Sequence, residues 1–309
     1  MTIKLGFSPC PNDTFIFDAL VNNKIDTVKL KFEVILEDVE TLNQLALKSK
    51  LDISKISYGV LPLLLNDYIV LNSGSALGNG VGPILISSPI QIPKDQDLRN
   101  TFQHEQFINS CTIAIPGEHT TAHMLFNLAF PDAKTKIFLR YDEIEEFILQ
   151  NSSQVLPGEG RKPVPMLRDL EGAVAGVIIH ENRFTYEQNG LVKIMDLGEF
   201  WEQKTQLPIP LGGIVARRDI ENSVIKKINE LIRKSIEYSF ANYPYISDYV
   251  REYSQEMEED IIRKHIDLYV TDYSIDLGER GKSAIRKFLR INKLINTSFN
   301  KTDKNIFLN

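Results

Sequence analysis

The sequence predicts an α/β protein whose sheets are mostly parallel, and three features carry that expectation. Short apolar runs alternate with segments of helical period from the N-terminus onward, a second unit of the same kind begins near Cys111, and the C-terminal third turns helical. A chain of 309 residues is long for a single core, so about two domains of ~150 residues each are expected.

Residues 3–8 and 30–36 read as strands, followed by helical segments at roughly 13–22 and 39–48, the latter carrying Val39, Leu42, Leu45 and Ala46 on one face. Asp38 is placed to cap the second helix, and Asn12 or Asp13 the first, because short oxygen side chains accept from the orphaned first-turn N–H groups. A third strand at 52–58 leads through Leu61–Leu65 to a further extended run at 68–71. In the second unit, Thr112-Ile-Ala-Ile-Pro-Gly117 reads as a strand and its exit turn, after which Thr120 can cap a helix bearing Ala122, Leu125, Phe126 and Ala129. Residues 136–140 and 173–179 supply two more strands, while 151–168 and 99–110 read as polar surface excursions. Gly80-Val-Gly-Pro-Ile-Leu-Ile-Ser and Leu211-Gly-Gly-Ile-Val-Ala-Arg are similar glycine-led apolar runs on either side of this unit. They are either the two crossings of a discontinuous architecture or unrelated strands. Helical stripes follow from Val224 to Phe240, from Ile261 to Tyr269 and from Ala284 to Leu289, and the tail after Ile295 is expected to fray.

Composition narrows the function classes. Hydrophobic residues make up 43% and charged residues 25%, close to the globular average, which argues against extensive disorder. The net charge of -6 disfavours broad binding to nucleic acid or to an anionic membrane. No run of 18 apolar residues occurs, and the chain enters Ile3-Lys4-Leu5-Gly6-Phe7 at once without a basic segment and apolar core of an export signal. With only two cysteines, Cys10 and Cys111, far apart in sequence, a reduced cytoplasmic setting is the expectation. Oligomeric state is not legible.

Chemistry-bearing residues gather where strands end. His180 closes the run Gly-Val-Ile-Ile and opens His-Glu-Asn-Arg-Phe-Thr-Tyr, the mouth of a strand, where open α/β sheets bind ligands. An imidazole there can exchange a proton near neutral pH, or it is simply a hydrogen-bonded structural histidine. The turn Gly6-Phe-Ser-Pro-Cys-Pro-Asn-Asp-Thr-Phe joins a strand to a helix, whose positive end favours an anion. Ser8, Asn12, Asp13 and Thr14 therefore either face a ligand or only cap the helix, and Cys10 lacks an adjacent base that would make it a nucleophile. Thr120 and Thr121 in Glu118-His-Thr-Thr-Ala repeat that logic for a carboxylate or carbonyl oxygen, against capping alone. Lys55-Ile56-Ser57 occupy the matching place on the third strand, against a surface lysine. His119 and His123 share the i, i+4 spacing of a metal pair, but Thr120 stands where the zinc-protease pattern has glutamate and no third ligand suggests itself. His104 and His265 read as structural or solvated. The phosphate loop, dinucleotide glycine motif, cysteine-rich metal cluster and Gly-x-Ser-x-Gly elbow do not occur, so nucleotide cofactors have no support.

Five segments taken together, Gly6-Phe-Ser-Pro-Cys-Pro-Asn-Asp-Thr-Phe-Ile-Phe17, Leu36-Glu-Asp-Val-Glu-Thr-Leu-Asn43, Gly78-Asn-Gly-Val-Gly-Pro83, Pro116-Gly-Glu-His-Thr-Thr-Ala122 and Ile179-His-Glu-Asn-Arg-Phe-Thr-Tyr186, closely resemble the 1,4-dihydroxy-6-naphthoate synthases of the futalosine route to menaquinone. The resemblance spans about residues 3–290, with the polar stretches near 99–110 and 151–168 as extra length. It implies a type II periplasmic-binding-protein-like fold with C-terminal helices and a ligand cleft between two lobes: a discontinuous larger lobe from residues 1–88 and 208–309, and an inserted smaller lobe from 89–207. It also implies a lyase that converts cyclic de-hypoxanthine futalosine to 1,4-dihydroxy-6-naphthoate without metal or organic cofactor. His180 matches the family's catalytic histidine. Lys55, Ile56 and Ser57, with Thr120 and Thr121, match its substrate-contacting segments, and Asn43 and Ser8 are added as contacts. The partner expected is a small carboxylate substrate. Two rivals remain, the sister enzyme that dehydrates chorismate and a non-catalytic solute-binding module. The Ser-Pro-Cys-Pro-Asn-Asp and Ile-Ile-His-Glu segments favour the naphthoate synthases over the former.

Overall fold

A computed structural model describes residues 1–92, 101–152, 173–254, 258–295 and 305–309. The chain runs β1 (Thr2–Phe7), α1 (Pro11–Val21), β2 (Lys31–Leu36), α2 (Val39–Leu47), β3 (Ile53–Ser57), α3 (Leu61–Leu64), β4 (Tyr68–Val70), β5 (Ala76–Gly78) and β6 (Ile84–Ser87). It continues with α4 (Thr101–Ser110), β7 (Thr112–Ile115), α5 (Thr121–Ala129), β8 (Lys136–Phe138), α6 (Ile144–Ser152), β9 (Val174–Ile178), α7 (Asn182–Thr185), β10 (Val192–Asp196) and α8 (Leu197–Thr205). The last stretch holds β11 (Ile209–Arg217), α9 (Asn222–Asn242), α10 (Asp248–Tyr253), α11 (Glu259–Tyr269), α12 (Asp272–Ile275) and α13 (Gly278–Ile295). Two compact units result: Met1–Val81 with His119–Thr121 and Leu207–Asn309, and Gly82–Glu118 with Ala122–Gln206.

The first unit is built on a sheet of order β2-β1-β3-β11-β4, with β5 also pairing β11. β2, β1 and β3 are parallel, as the βαβα pattern requires, whereas β11 runs antiparallel to β3, β4 and β5. The sheet is therefore mixed. A strand that re-enters the unit after a long excursion is not bound by the crossover geometry that makes consecutive βαβ strands parallel. Ile3, Leu5 and Phe7 of β1 pack with Phe15, Ile16, Phe17 and Leu20 of α1 and with Ile228, Leu231, Ile232 and Ile236 of α9 in one core cluster, where Phe7 stacks on Phe17 at 4.4 Å between ring centroids. α1 is buried from Pro11 through Leu20, which explains why it is apolar around most of its circumference.

Two local expectations fail here for identifiable reasons. The N-cap of α1 is Cys10, without a side-chain cap bond, because Pro11 takes the first helical position and Asp13 turns its carboxylate elsewhere. Asp38 does cap α2, accepting from the N–H groups of Glu40 and Thr41 at 2.9 and 3.2 Å. The chain end is also not frayed as far as it is described. Val70 N–H donates to Ile306 O and Leu308 N–H to Val70 O, each at 2.9 Å, so residues 306–308 cover the outer edge of β4. Phe307 is buried beneath the cations of Lys282 and Arg286.

The second unit has a sheet of order β10-β6-β9-β7-β8. β9, β7 and β8 are parallel, and β6 is antiparallel to both β9 and β10. Residues 84–87, assigned with the larger lobe in the expectation that ended it at residue 88, thus belong to the second sheet through their pairing with 175–178. Gly176 lets α6 sit close on β9, since a Cβ there would lie 2.5 Å from Ile144 Cγ2. Residues 101–110 form helix α4 rather than a polar excursion: Phe107 and Ile108 turn inward, although too few apolar residues flank them to give a helical stripe in sequence. Residues 99–100, 153–168 and 296–304 and the side chain of His104 lie outside the described residues. Among the described residues no helix is long and apolar enough to cross a membrane.

Replacing Phe307 with Ala is expected to cost about 3 kcal/mol in urea unfolding, the usual range for emptying a buried aromatic site. The same change should accelerate amide exchange at Val70, and unchanged protection there would show that the chain end does not hold this edge.

Candidate functional site

In the first unit the polar groups converge at the carboxyl ends of β1 and β3. Strand alternation puts Lys55 and Ser57 on one face and Ile56 on the other, where Ile56 is fully buried. Lys55 Nζ lies 2.6 Å from Asp13 Oδ1 and 3.5 Å from Gly74 O, and the lysine and aspartate side chains are 6% and 1% exposed. Lys55 is therefore not a surface lysine. Its third N–H has no partner among the described residues. Asp13 Oδ2 accepts from Ser8 Oγ at 2.8 Å and Ser8 N at 3.2 Å, and its Oδ1 also accepts from Asn12 Nδ2 at 2.8 Å. The turn after β1, which the sequence suggests for an external anion, thus holds the protein's own carboxylate. Ser8 spends both its N–H and its hydroxyl on it.

A second cluster forms around Ser57. Thr121 N–H donates to Ser57 Oγ at 2.7 Å, the two hydroxyl oxygens are 3.0 Å apart, and Thr121 Oγ1 donates to Leu211 O at 2.8 Å. Asn43 accepts from Ser57 N at 3.0 Å and donates to His119 O at 3.3 Å and Glu40 Oε2 at 3.1 Å. Its amide is committed to holding residues 57 and 119 in place. Glu40 Oε2 also accepts from His119 N at 3.1 Å, a contribution that sequence reasoning missed although Glu40 sits one helical turn before Asn43. Thr120 is buried beside Thr121, and its backbone passes so close to Gly59 that a Cβ at 59 would lie 2.4 Å from the Thr120 carbonyl carbon. Only glycine fits there.

In the second unit His180 follows β9, the central strand, at the end expected from the sequence. Its φ of 57° is left-handed, a conformation histidine adopts more readily than most residues yet at some strain, and such outliers favour functional positions. The Tyr141 ring meets the imidazole edge-on at 4.9 Å between centroids. The turn that follows is fastened at three points. Arg183 pairs with Asp196 at 2.8 Å and donates to Gly82 O, while Asn182 and Asn189 donate to the two oxygens of Glu145 at 2.9 and 2.6 Å. Asp196 also caps α8, accepting from Gly198 N and Glu199 N. Tyr186 donates to Glu187, and burial, reinforced by that hydrogen bond, pushes its phenol up to about 12, so it remains a donor at neutral pH. The pairing of Asp196 with Arg183 is set by the fold, not by any local pattern.

His123 Nδ1 is 2.8 Å from Glu118 O, and its ring lies against Phe138. His265, expected as structural or solvated, is fully buried, with Nε2 2.9 Å from Asn12 Oδ1.

A family profile described as menaquinone biosynthesis matches residues 3–161 and 159–293. The chain belongs to the menaquinone biosynthesis family. A 1,4-dihydroxy-6-naphtoate synthase of Thermus thermophilus is 38% identical over 286 residues, 92% of each chain. A protein of the same description from Streptomyces coelicolor is 36% identical over 289 residues, 93% of this chain and 92% of its own. Among solved structures, an Archaeoglobus fulgidus protein superposes with a TM-score of 0.78 at 27% identity, covering 95% of this chain and 97% of that one. A Candida albicans protein described as having the generic periplasmic binding protein fold gives 0.66 at 13% identity over 98% of this chain and 92% of its own. The fold is accordingly periplasmic-binding-protein-like, and the family is one of biosynthetic enzymes.

Two substitutions test the local geometry. Gly59→Ala is expected to lower stability by about 1–3 kcal/mol, because backbone must move to admit the methyl group. Asp196→Ala removes a helix cap and strands a largely buried guanidinium, so a loss of about 3–5 kcal/mol is expected in chemical denaturation. A loss under about 1 kcal/mol for Asp196→Ala would mean that the Arg183 pair does not hold the turn.

Proposed function

We propose that this protein is a 1,4-dihydroxy-6-naphthoate synthase, a lyase that converts cyclic de-hypoxanthine futalosine to 1,4-dihydroxy-6-naphthoate. The observation that carries this reading is the identity of 38% and 36% to two synthases so described, along more than nine-tenths of the chain. In this reading the substrate is a small carboxylate, the setting is cytoplasmic, and His180 is the base. A neutral imidazole removes a proton beside the substrate ketone and gives it back as the carbon–carbon bond to the sugar-derived fragment breaks and that fragment leaves as the second product, a cleavage with no net oxidation or reduction. The left-handed backbone at His180 and the fastened turn after it support the assignment, since they fix the imidazole at a strand end. Lys55, Ser57, Thr120 and Thr121 are the proposed binding residues. A buried ammonium with an unspent donor suits a carboxylate, while the Ser57 and Thr121 hydroxyls and the Thr121 N–H are bonded to one another and to Leu211 O, so a developing enolate oxygen would be met there by exchange of one of those bonds. Ser8, Ile56 and Asn43 act by holding these groups: Ser8 spends its N–H and hydroxyl on Asp13, Asn43 fixes the backbone of Ser57 and His119, and Ile56 is buried on the opposite face of β3.

The likeness to periplasmic binding proteins favours a second reading, a module that binds a small carboxylate without chemistry. Incubating the purified protein with the cyclic futalosine derivative separates the two, since only the synthase releases the naphthoate. Conversion of chorismate instead would identify the sister dehydratase. In the synthase, His180→Ala is expected to reduce kcat by about 100-fold to 10,000-fold with little change in substrate binding. Near-normal turnover by that variant removes His180 from the mechanism.

A further inference from the structure

Four side chains of the first unit form a continuous buried chain that the proposed chemistry does not use as such: His265 Nε2 to Asn12 Oδ1 at 2.9 Å, Asn12 Nδ2 to Asp13 Oδ1 at 2.8 Å, and Asp13 Oδ1 to Lys55 Nζ at 2.6 Å. We propose that Asn12 and His265 are positioning residues that aim the Lys55 ammonium through Asp13, so that a histidine 210 residues away in sequence sets how the lysine meets an anionic ligand. This rests on the reading of Lys55 as a substrate contact.

The direction of every hydrogen bond in the chain is fixed by elementary chemistry. The Asp13 carboxylate, paired with an ammonium, only accepts, so Asn12 must turn its amide nitrogen toward it. Asn12 Oδ1 then faces His265 and only accepts, so His265 must carry its proton on Nε2. All four residues are no more than 6% exposed, and water therefore does not readily replace a missing partner. Removing the Nε2–H would leave Asn12 Oδ1 buried and unsatisfied, a larger penalty than the loss of one exchangeable bond. The amide would rotate to relieve it and withdraw its nitrogen from Asp13. Asp13 Oδ1 accepts from both Asn12 and Lys55, and Ser8 holds only the other oxygen, so the carboxylate would turn toward the lysine and draw the ammonium with it. The anchor at the far end is firm: His265 belongs to α11, whose Ile262 and Ile266 lie in the same core as α1, and its ring packs on Tyr269 at 4.6 Å. The relay thus ties the first turn of α1 and the strand β3 to a helix that enters the unit only after the whole second unit has been traversed.

Glutamine can place an amide N–H near the position of Nε2, whereas leucine fills the volume and cannot donate. His265→Leu is expected to raise KM for the cyclic futalosine derivative by about 10-fold while kcat stays within about threefold, and His265→Gln is expected to return KM to within about twofold of the parent. A merely structural role for the ring would move both variants alike or lower stability without this split. Two spectra keep the inference testable if His265→Leu does not fold or if the parent turns over no futalosine derivative. The long-range proton–nitrogen spectrum of the parent must show His265 as the Nε2–H tautomer, and the Lys55 ammonium signal must shift in Asn12→Ala while remaining in place in His265→Gln. An Nδ1–H tautomer, an unmoved lysine signal in Asn12→Ala, or equal KM values for folded Leu and Gln variants would each overturn it. Absence of turnover in the parent, with the spectra as expected, would instead overturn only the assignment of the reaction.

Discussion

The buried ion pair between Lys55 and Asp13 is the constraint around which the first unit is arranged. An ammonium and a carboxylate each lose several kcal/mol of hydration when buried, and a bare pair rarely recovers that loss. Here the carboxylate receives four donors, two from Ser8, one from Asn12 and one from Lys55, which is what an ionised carboxylate needs when water is excluded. The geometry that supplies them requires the turn after β1 to place Ser8 and Asn12 on either side of Asp13 and requires β3 to point Lys55 inward. Gly212 allows the neighbouring strand to pass close to the lysine stem, with a Cβ there only 3.4 Å from Lys55 Cε and 2.7 Å from Ile56 O.

The second unit repeats the device with different residues. Arg183 and Asp196 are largely buried, and the arginine fork reaches both the carboxylate and the Gly82 carbonyl, so the short turn following His180 is held to the strand that leads into this unit and to the helix that closes it. Arginine suits this place because its planar guanidinium satisfies two acceptors in fixed directions, which a lysine would not. In each unit, then, a strand ends in a polar turn whose freedom has been removed by a charged pair. Preorganisation of this kind lets a side chain in an unfavoured backbone conformation, such as His180, persist.

The relation to periplasmic binding proteins shows a scaffold shared by transport receptors and by a family of biosynthetic enzymes. Fold alone does not separate them. The features of this chain are local: a histidine at the end of a central strand, and a threonine pair whose segment is strapped to Ser57, Asn43 and Glu40.

Much of this was legible in the sequence because it is local. The βαβα alternation gave the parallel cores of both sheets, Asp38 announced its helix, and the motifs around Ser8, Lys55, Thr120 and His180 marked the strand ends where polar groups collect. Pairing between distant segments was not legible. That β6 joins the second sheet, that β11 runs antiparallel beside β3, that residues 306–308 cover β4, and that a short run with two inward apolar residues makes helix α4 depend on which surfaces meet after collapse. The same limit applies to single side chains. The sequence determined that Asp13 and Lys55 are charged and that His265 lies on a helix. Only the tertiary structure decided that the helix starts at Pro11, so that Asp13 lies within its first turn and neutralises a lysine 42 residues away, and that His265 closes the chain behind it, because a buried charge without a partner is costly.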